Sequence, residues 1–195
     1  MAILLASPKL AVEALEVQAP AGQEPIHWRL LTTHVVVCLE QALRVIQWYG
    51  WRWKIEQLFA TLKKAGLNIE ATQLESSIAI QRLTILALSV AVRTLQMVEG
   101  RDNTQLSAQL TFCLEQQQCL SGIQSSVEGD TKKLQNPYPR GCLPWATWII
   151  ARLGGWSGYT SGRPPGMPTL VHGLRQFESI FLGWKLALGG LVYTR

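Results

Sequence analysis

The chain of 195 residues is long enough for one domain with a hydrophobic core, or for one domain and an appendage. Its hydrophobic fraction of 48% argues against general disorder. The net charge of +5, with eleven arginines and seven lysines, permits nucleic-acid binding without requiring it.

The cysteine pattern indicates free thiols. The four cysteines are Cys38, Cys113, Cys119 and Cys142. They form no CxxC pair and have no histidine at metal-ligand spacing, which favours a reducing compartment. The most apolar stretch, residues 78–98, is interrupted by two arginines, which favours a buried core helix over a membrane span. The sequence thus predicts a cytoplasmic protein without a membrane partner.

The first third of the chain predicts strands followed by a helix. Residues 9–17 alternate apolar and polar side chains, residues 26–32 are rich in strand formers, and 19–22 is a Pro/Gly turn, so residues 8–33 predict an antiparallel hairpin. From about Val37 the apolar period becomes 3.6, which predicts a helix to Ala65.

The remainder predicts a largely helical structure. The second helix, 76–99, is apolar nearly all round and is expected to be deeply packed. A shorter helix is expected within 105–120, a polar linker over 121–144, and helices over 145–153 and 169–188. The predicted fold class is therefore mainly α with an N-terminal β-hairpin (α+β), with domains 1–35, 36–120 and 145–195 and the linker 121–144.

The last predicted helix has an apolar seam in which steps of four and three alternate. We expect such a seam to need a partner and therefore predict dimerisation. The predicted dimerisation contacts are Leu170, Leu174, Phe177, Phe181 and Trp184.

Four polar residues lie on one face of the first predicted helix: Tyr49, Arg52, Glu56 and Lys63. With 3.6 residues per turn, they point at about 0°, 300°, 340° and 320° around the axis. The apolar positions 55, 58 and 62 point at about 240°, 180° and 220°, so that side is predicted to be buried. A stripe of phenol, guanidinium, carboxylate and ammonium predicts a site for a polyanion and a metal. The alternative for the Arg–Glu pair is a solvated ion pair worth about 0.2–0.5 kcal/mol.

The pattern Y-x2-R-x3-E-x6-K resembles the signature of bacterial DDE transposases of the insertion sequence four group. The segment Glu24-Pro25-Ile26-x-Trp28-x-Leu30-Leu31-Thr32 resembles the strand that ends the family's β-insertion, and residues 41–46 resemble the approach to the signature helix. Residues 150–155 (Ile-Ala-Arg-Leu-Gly-Gly), followed by Pro164-Pro165-Gly166, resemble the family's C-terminal region. The similarity covers most of the chain in the same order.

The resemblance implies a fold and a set of roles. Residues 1–35 would be the end of the β-insertion, residues 36–120 the C-terminal helices of a ribonuclease-H-like core, and residues 145–195 a helical dimerisation region. Glu56 would be the last acid of the DDE triad and a ligand of Mg²⁺ or Mn²⁺ in the complete enzyme. The partner would be double-stranded DNA at the transposon ends, with phosphates contacted by Tyr49, Arg52 and Lys63.

Tryptophans add to this expectation. The family places tryptophans at the positions of Trp28 and Trp53, where they take part in flipping a base and stacking against it; the alternative for both is core packing. Trp48 and Trp51 are predicted to be core residues. Trp145, Trp148, Trp156 and Trp184 are predicted to pack in the C-terminal region.

One departure from the family decides the expected activity. A DDE enzyme needs two aspartates before its glutamate, whereas Asp102 and Asp130, the two in this chain, both follow Glu56. One carboxylate does not clamp two divalent ions. We therefore expect that this chain alone binds no metal and does not cut DNA.

Three interpretations stay open at this point. The chain is a truncated transposase that keeps its DNA-end and dimer contacts. Alternatively, it is a non-catalytic interaction module that inhibits a full-length transposase by forming mixed dimers. In the third, it is one part of an active enzyme whose two aspartates come from a separate chain, and a neighbouring upstream reading frame with two suitably spaced aspartates would support this.

Overall fold

The computed structural model describes residues 2–4, 11–64, 67–159 and 162–189, with backbone alone for 2–4 and Lys64. The strands are β1 (Ala2–Leu4), β2 (Ala11–Leu15) and β3 (His27–Leu31). The helices are α1 (Leu39–Lys64), α2 (Ser77–Gly100), α3 (Leu114–Val127), α4 (Leu143–Leu153) and α5 (Met167–Ala187). The described chain is mainly helical with a small antiparallel sheet, which confirms the α+β class.

The chain divides into a first unit, residues 1–57, and a second unit, residues 58–195. α1 contributes residues to both units, since it runs through the division. The four predicted domain ranges stay predictions.

The sheet of the first unit is antiparallel in the order β1-β2-β3. β2 pairs with β3 from Ala11↔Leu31 to Leu15↔His27, which confirms the predicted hairpin. Alternation along β2 turns Val12 and Ala14 inward, as the two-residue period of a strand requires. The small core consists of Val12, Leu30, Val36, Ala42 and Val45.

The second unit contains the larger core, and α4 lies at its centre. Nine consecutive residues of α4, Leu143 to Ala151, are buried. Its neighbours α2, α3 and α5 cover it on several sides. The predicted packing of the C-terminal tryptophans is confirmed, because Trp145 and Trp148 are buried and Trp156 and Trp184 pack against the same core.

The sequence Ile150–Gly155 forms a corner at the end of α4. Arg152 donates hydrogen bonds to the carbonyl oxygens of Val127 (2.8 Å), Trp156 (2.9 Å) and Ser157 (2.6 Å). A Cβ on Gly154 would collide with the carbonyl oxygen of Thr169 in α5. Gly155 has a φ of 87°, a left-handed conformation that glycine adopts without strain. The motif is therefore explained by packing.

The segment predicted as a linker, 121–144, is folded onto its neighbours. α3 continues to Val127, and Lys132–Leu134 forms a 3₁₀ turn. Asn136 Nδ2 donates to the carbonyl oxygen of Trp145 at 3.0 Å, and the Trp145 indole N–H donates to Gln124 Oε1 at 2.8 Å. The polar side chains of this segment thus make hydrogen bonds within the second unit, and its role as a linker between domains stays a prediction.

α2 confirms its predicted bounds but not its predicted burial. Only 17% of its most apolar 18-residue window is buried, and Ile85 and Leu86 are 66% and 65% exposed. By length and hydropathy α2 is a weak candidate for a membrane span, a criterion that core helices of soluble proteins also meet. The expectation of deep packing is wrong because α2 presents one side to its neighbours, through Ala87, Ala91, Thr94 and Met97.

The apolar seam of α5 has a partner within its own unit. Leu170, Leu174 and Phe177 are buried in the main core, and Phe181 and Trp184 pack against it half-buried. The Phe177 ring meets Phe112 edge-on at 5.8 Å and stacks on Phe181 at 5.9 Å. The argument that the seam needs a second chain is therefore wrong, and dimerisation itself stays a prediction.

Candidate functional site

α1 exposes the first three members of the predicted stripe. Tyr49, Arg52 and Glu56 follow one another at steps of three and four, so a regular helix places them on one face. All three side chains are exposed, and none is turned into an apolar interior. Arg52 Nη2 lies 3.3 Å from Glu56 Oε1, and its guanidinium carbon lies 6.0 Å from the centre of the Tyr49 ring. The predicted grouping of these three residues is present in the first unit.

Trp28 joins this face from β3. Its ring meets the Tyr49 ring edge-on, with centroids 5.0 Å apart and planes at 64°. The same side chain packs against the small core, so it is half-buried. Trp28 therefore packs partly in the core, as one of its two predicted roles required, and its predicted part in base flipping stays a prediction.

All three tryptophans of α1, Trp48, Trp51 and Trp53, are exposed. Trp53 is 65% exposed, so its ring is open to a stacking partner. Trp48 and Trp51 are also exposed, which contradicts their predicted place in the core. Trp48 instead lies beside the His34 ring at 4.8 Å. The prediction failed because the small core of the first unit takes up only Ala42 and Val45 from α1 as buried residues, with Ile46 partly buried.

The predicted burial of the opposite side of α1 holds in part. Leu62 is buried and Leu58 is half-buried, whereas Ile55 is exposed. Lys63, the fourth member of the stripe, belongs to the second unit, where its ammonium lies 2.7 Å from Glu70 Oε1. Both side chains of that pair are at least half exposed, so solvent competes for the contact.

A cleft lies beside Trp28 in the first unit. Its volume is about 590 Å³, within the range of small-molecule sites. The lining residues are Ala14, Glu16, Val17, Gln18, Ile26 and Trp28. The Glu16 carboxylate accepts a hydrogen bond from the Ile26 backbone N–H at 3.1 Å, which fixes it at the rim. Sequence reasoning missed this cleft, because an alternating strand pattern predicts the hairpin but not the space left beside it.

The first unit has no excess of positive charge. Its sequence contains five basic residues and five glutamates, so its formal charge is zero. The whole surplus of +5 lies in residues 58–195. An exposed phosphate-binding stripe in the first unit would therefore rely on local geometry more than on a broad positive field.

The residues present do not fit a two-metal centre. Glu56 is the carboxylate of the stripe, and it is already paired with Arg52. Within the described ranges, no group of three or more His, Cys, Asp or Glu side chains is arranged to hold a metal ion. Mg²⁺ bound through one exposed carboxylate would keep most of its water ligands.

The cysteines are unpaired, as predicted: Cys38 and Cys113 are exposed, and Cys119 and Cys142 are buried. Burial raises the pKa of the Cys119 thiol above its ordinary value of 9.0. A buried, protonated thiol is a poor nucleophile and a poor metal ligand. Comparison with protein families finds no family model that matches the chain.

Proposed function

We propose that the chain is the C-terminal part of a DDE-type transposase that contacts transposon-end DNA and lacks catalytic activity by itself. The resemblance described above supplies the family, the ribonuclease-H-like context and the expected ligand. The proposal places the protein in the cytoplasm, in keeping with its unpaired cysteines.

The observation that carries the proposal is the half-buried Trp28 ring beside the exposed side chains of Tyr49, Arg52 and Trp53. The Arg52 guanidinium can bind two phosphate oxygens at once, and a base can stack on the ring of Trp28 or Trp53. The cleft beside Trp28 offers room for an unstacked base. The missing upstream aspartates and the lone Glu56 support binding without cleavage.

The test measures binding of the full chain to a fluorescein-labelled DNA duplex by anisotropy across a salt titration. We expect weak, salt-sensitive binding, because phosphate contacts release counterions. Arg52→Ala and Lys63→Ala should each weaken binding by about three- to tenfold and lower the salt slope by about one.

Arg44→Ala is the matched control. Arg44 is also an exposed arginine of α1 in an i,i+4 pair, with Glu40 at 3.1 Å, but it points about 80° away from Arg52 around the axis. It should leave binding nearly unchanged. If the Arg52 and Lys63 variants bind as well as the parent at every salt concentration, the stripe is not a phosphate site.

A second function, inhibition of a full-length transposase by mixed assembly, is favoured by the exposed apolar face of α2. That face includes Ile78, Ile85 and Val92 at steps of seven, which lie on one side of a helix. A pull-down with a full-length transposase tests it: capture that Ile85→Lys abolishes supports mixed assembly, and capture that this change leaves intact contradicts it.

A further inference from the structure

The cleft beside Trp28 contains a carboxylate on the apolar side of the β2–β3 hairpin. Ala14 pairs with Trp28 on the inward side, which also carries the small core. The Glu16 N–H donates to the Ile26 carbonyl oxygen at 2.9 Å, which extends the ladder by one pair. Because successive residues of a strand alternate between faces, Glu16 and Ile26 lie on the same side as Ala14 and Trp28. All four residues line the cleft.

The Glu16 carboxylate is held at the rim and only partly satisfied. Its Oε2 accepts the hydrogen bond from the Ile26 N–H at 3.1 Å. A carboxylate has about four acceptor sites on its two oxygens, so most of its capacity remains for a ligand. Within the described ranges Glu16 makes no ion pair, and no basic side chain lines the cleft. The described lining therefore leaves this negative charge uncompensated.

Trp28 places an aromatic ring next to this carboxylate. Glu16 and Trp28 are diagonal neighbours on the two strands, and such neighbours lie about 7–8 Å apart, within reach of long side chains. The ring is held by Tyr49, with centroids 5.0 Å apart, and by the small core. Part of its surface lines the cleft. A cation bound to the carboxylate can therefore also contact the ring, and the cation–π attraction adds to the binding.

The rest of the lining suits an apolar ligand body. Val17 and Ile26 are 62% and 55% exposed, so both offer apolar surface to a ligand. The volume of about 590 Å³ is ample for a molecule with one aromatic ring. The first unit has a formal charge of zero, so no broad positive field repels a cation. Size, apolar surface and charge together favour an ammonium group on an apolar body.

We propose that this cleft binds a small organic ammonium ion, whose nitrogen donates hydrogen bonds to the Glu16 carboxylate while its apolar body lies against Trp28 and Ile26. The inference goes beyond the proposed function, because it requires neither DNA nor a transposase. A free carboxylate or phosphate does not fit the same place, since its charge would be repelled by Glu16.

The experiment uses the full chain labelled with ¹⁵N-tryptophan. It is titrated separately with phenethylamine, phenethyl alcohol and phenylacetate, which are similar in shape and are positive, neutral and negative at neutral pH. The indole cross-peak of Trp28, assigned by its loss in Trp28→Phe, should shift saturably with phenethylamine at a dissociation constant on the order of 1 mM. The alcohol should bind about fivefold more weakly, and phenylacetate should not bind. The cross-peak of Trp145, buried in the second unit, should stay in place.

Two variants of β2 and its extension test the role of the charge. Glu16→Gln keeps the shape of the side chain and removes its charge, so it should weaken phenethylamine by about fivefold and leave the alcohol nearly unchanged. Glu13→Gln is the matched control, because Glu13 lies on the opposite face and is paired with Arg29 at 3.0 Å. It should leave both affinities unchanged. If Trp28→Phe does not fold, equilibrium dialysis of radiolabelled phenethylamine gives the same affinities without an assigned peak.

Three results would overturn the proposal. The first is that phenethylamine causes no saturable shift of Trp28 and is not retained in dialysis. The second is equal affinity for the three probes, which would describe an apolar cleft that does not select for charge. The third is an unchanged affinity for phenethylamine in Glu16→Gln.

Discussion

Glu56 shares its helix face with Arg52, and each side chain limits what the other does. Arg52 Nη2 and Glu56 Oε1 lie 3.3 Å apart on an exposed surface, where an ion pair stabilises a protein by less than about 1 kcal/mol. A phosphate that binds Arg52 must compete with this carboxylate. Glu56 is therefore expected to weaken anion binding in this chain when no metal bridges it to DNA.

The first prediction concerns the change Glu56→Gln. It should strengthen DNA binding by about two- to fivefold, because a negative charge beside the guanidinium is lost. The free energy of unfolding should change by less than about 0.5 kcal/mol. Anisotropy and urea titration measure the two quantities, and weaker DNA binding in the variant would mean that Glu56 instead orients Arg52.

At the residue scale, the sequence predicted which face of a helix a side chain lies on better than how deeply that side chain is buried. Helical geometry places Tyr49, Arg52 and Glu56 on one face, and α1 has them there. Ile55 and Trp51 were predicted to be buried but are exposed. Their exposure was not predictable from α1 alone, because burial depends on which other element covers each side of the helix. The small core beside α1 does not extend to them.

At the scale of elements, most helices were predicted to within two residues because their apolar period is regular. α3 is the exception, since it begins at Leu114 and continues past the predicted end. Its start depends on Gln116, whose Oε1 accepts a hydrogen bond from the Cys113 N–H at 3.2 Å. Cysteine is not a preferred N-cap residue, so the usual signal for the start of a helix is absent at this position.

The second prediction tests the close approach of α4 and α5. A Cβ on Gly173 would collide with the carbonyl oxygen of Ile150, so Gly173→Ala should force the helices apart and destabilise the fold by about 1–3 kcal/mol. Gly183, in the same helix, has open space around the position of a Cβ. Gly183→Ala should therefore stabilise by up to about 1 kcal/mol through helix propensity.

Chemical denaturation of both glycine variants gives the measurement. Because the same substitution is made twice in one helix, a difference in sign isolates packing from propensity. Equal effects at the two positions would mean that α4 and α5 are not in contact at Gly173 in solution.

The third prediction concerns the seam of α5. Phe177→Ala should lower the free energy of unfolding by about 3–5 kcal/mol, because the ring fills the core between Phe112 and Phe181. Leu182→Ala, on the exposed side, should cost less than about 1 kcal/mol. Sedimentation and denaturation together distinguish a core residue from a dimer contact. If Phe177→Ala keeps its stability and loses only self-association, the seam is a dimer contact after all.

At the scale of the whole molecule, α2 leaves a set of large apolar side chains exposed: Ile78, Ile80, Ile85, Leu86 and Val92. Monomeric proteins rarely show contiguous apolar patches beyond a few hundred Å². The sequence predicted correctly that α2 is helical and apolar, but it also predicted deep packing on all sides. What it did not specify is which part of α2 is covered within the chain.

The fourth prediction is that the chain binds a hydrophobic dye and associates through these exposed side chains of α2. The double change Ile85→Lys and Leu86→Gln should reduce both dye fluorescence and light scattering, without loss of helical circular dichroism, because both side chains are largely exposed. Arg82→Lys, on the same helix, keeps the charge and serves as control. Unchanged scattering in the double variant would show that association occurs elsewhere.

The residues of the corner at Ile150–Gly155, which resemble the C-terminal region of the transposase family, have structural roles in this chain. Arg152 donates hydrogen bonds to three carbonyl oxygens, Gly154 permits the close approach of α5, and Gly155 permits a tight turn, so these three residues have a structural reason. A resemblance at this corner is therefore accounted for by the way the chain bends, and the proposed chemistry rests on the exposed face of α1.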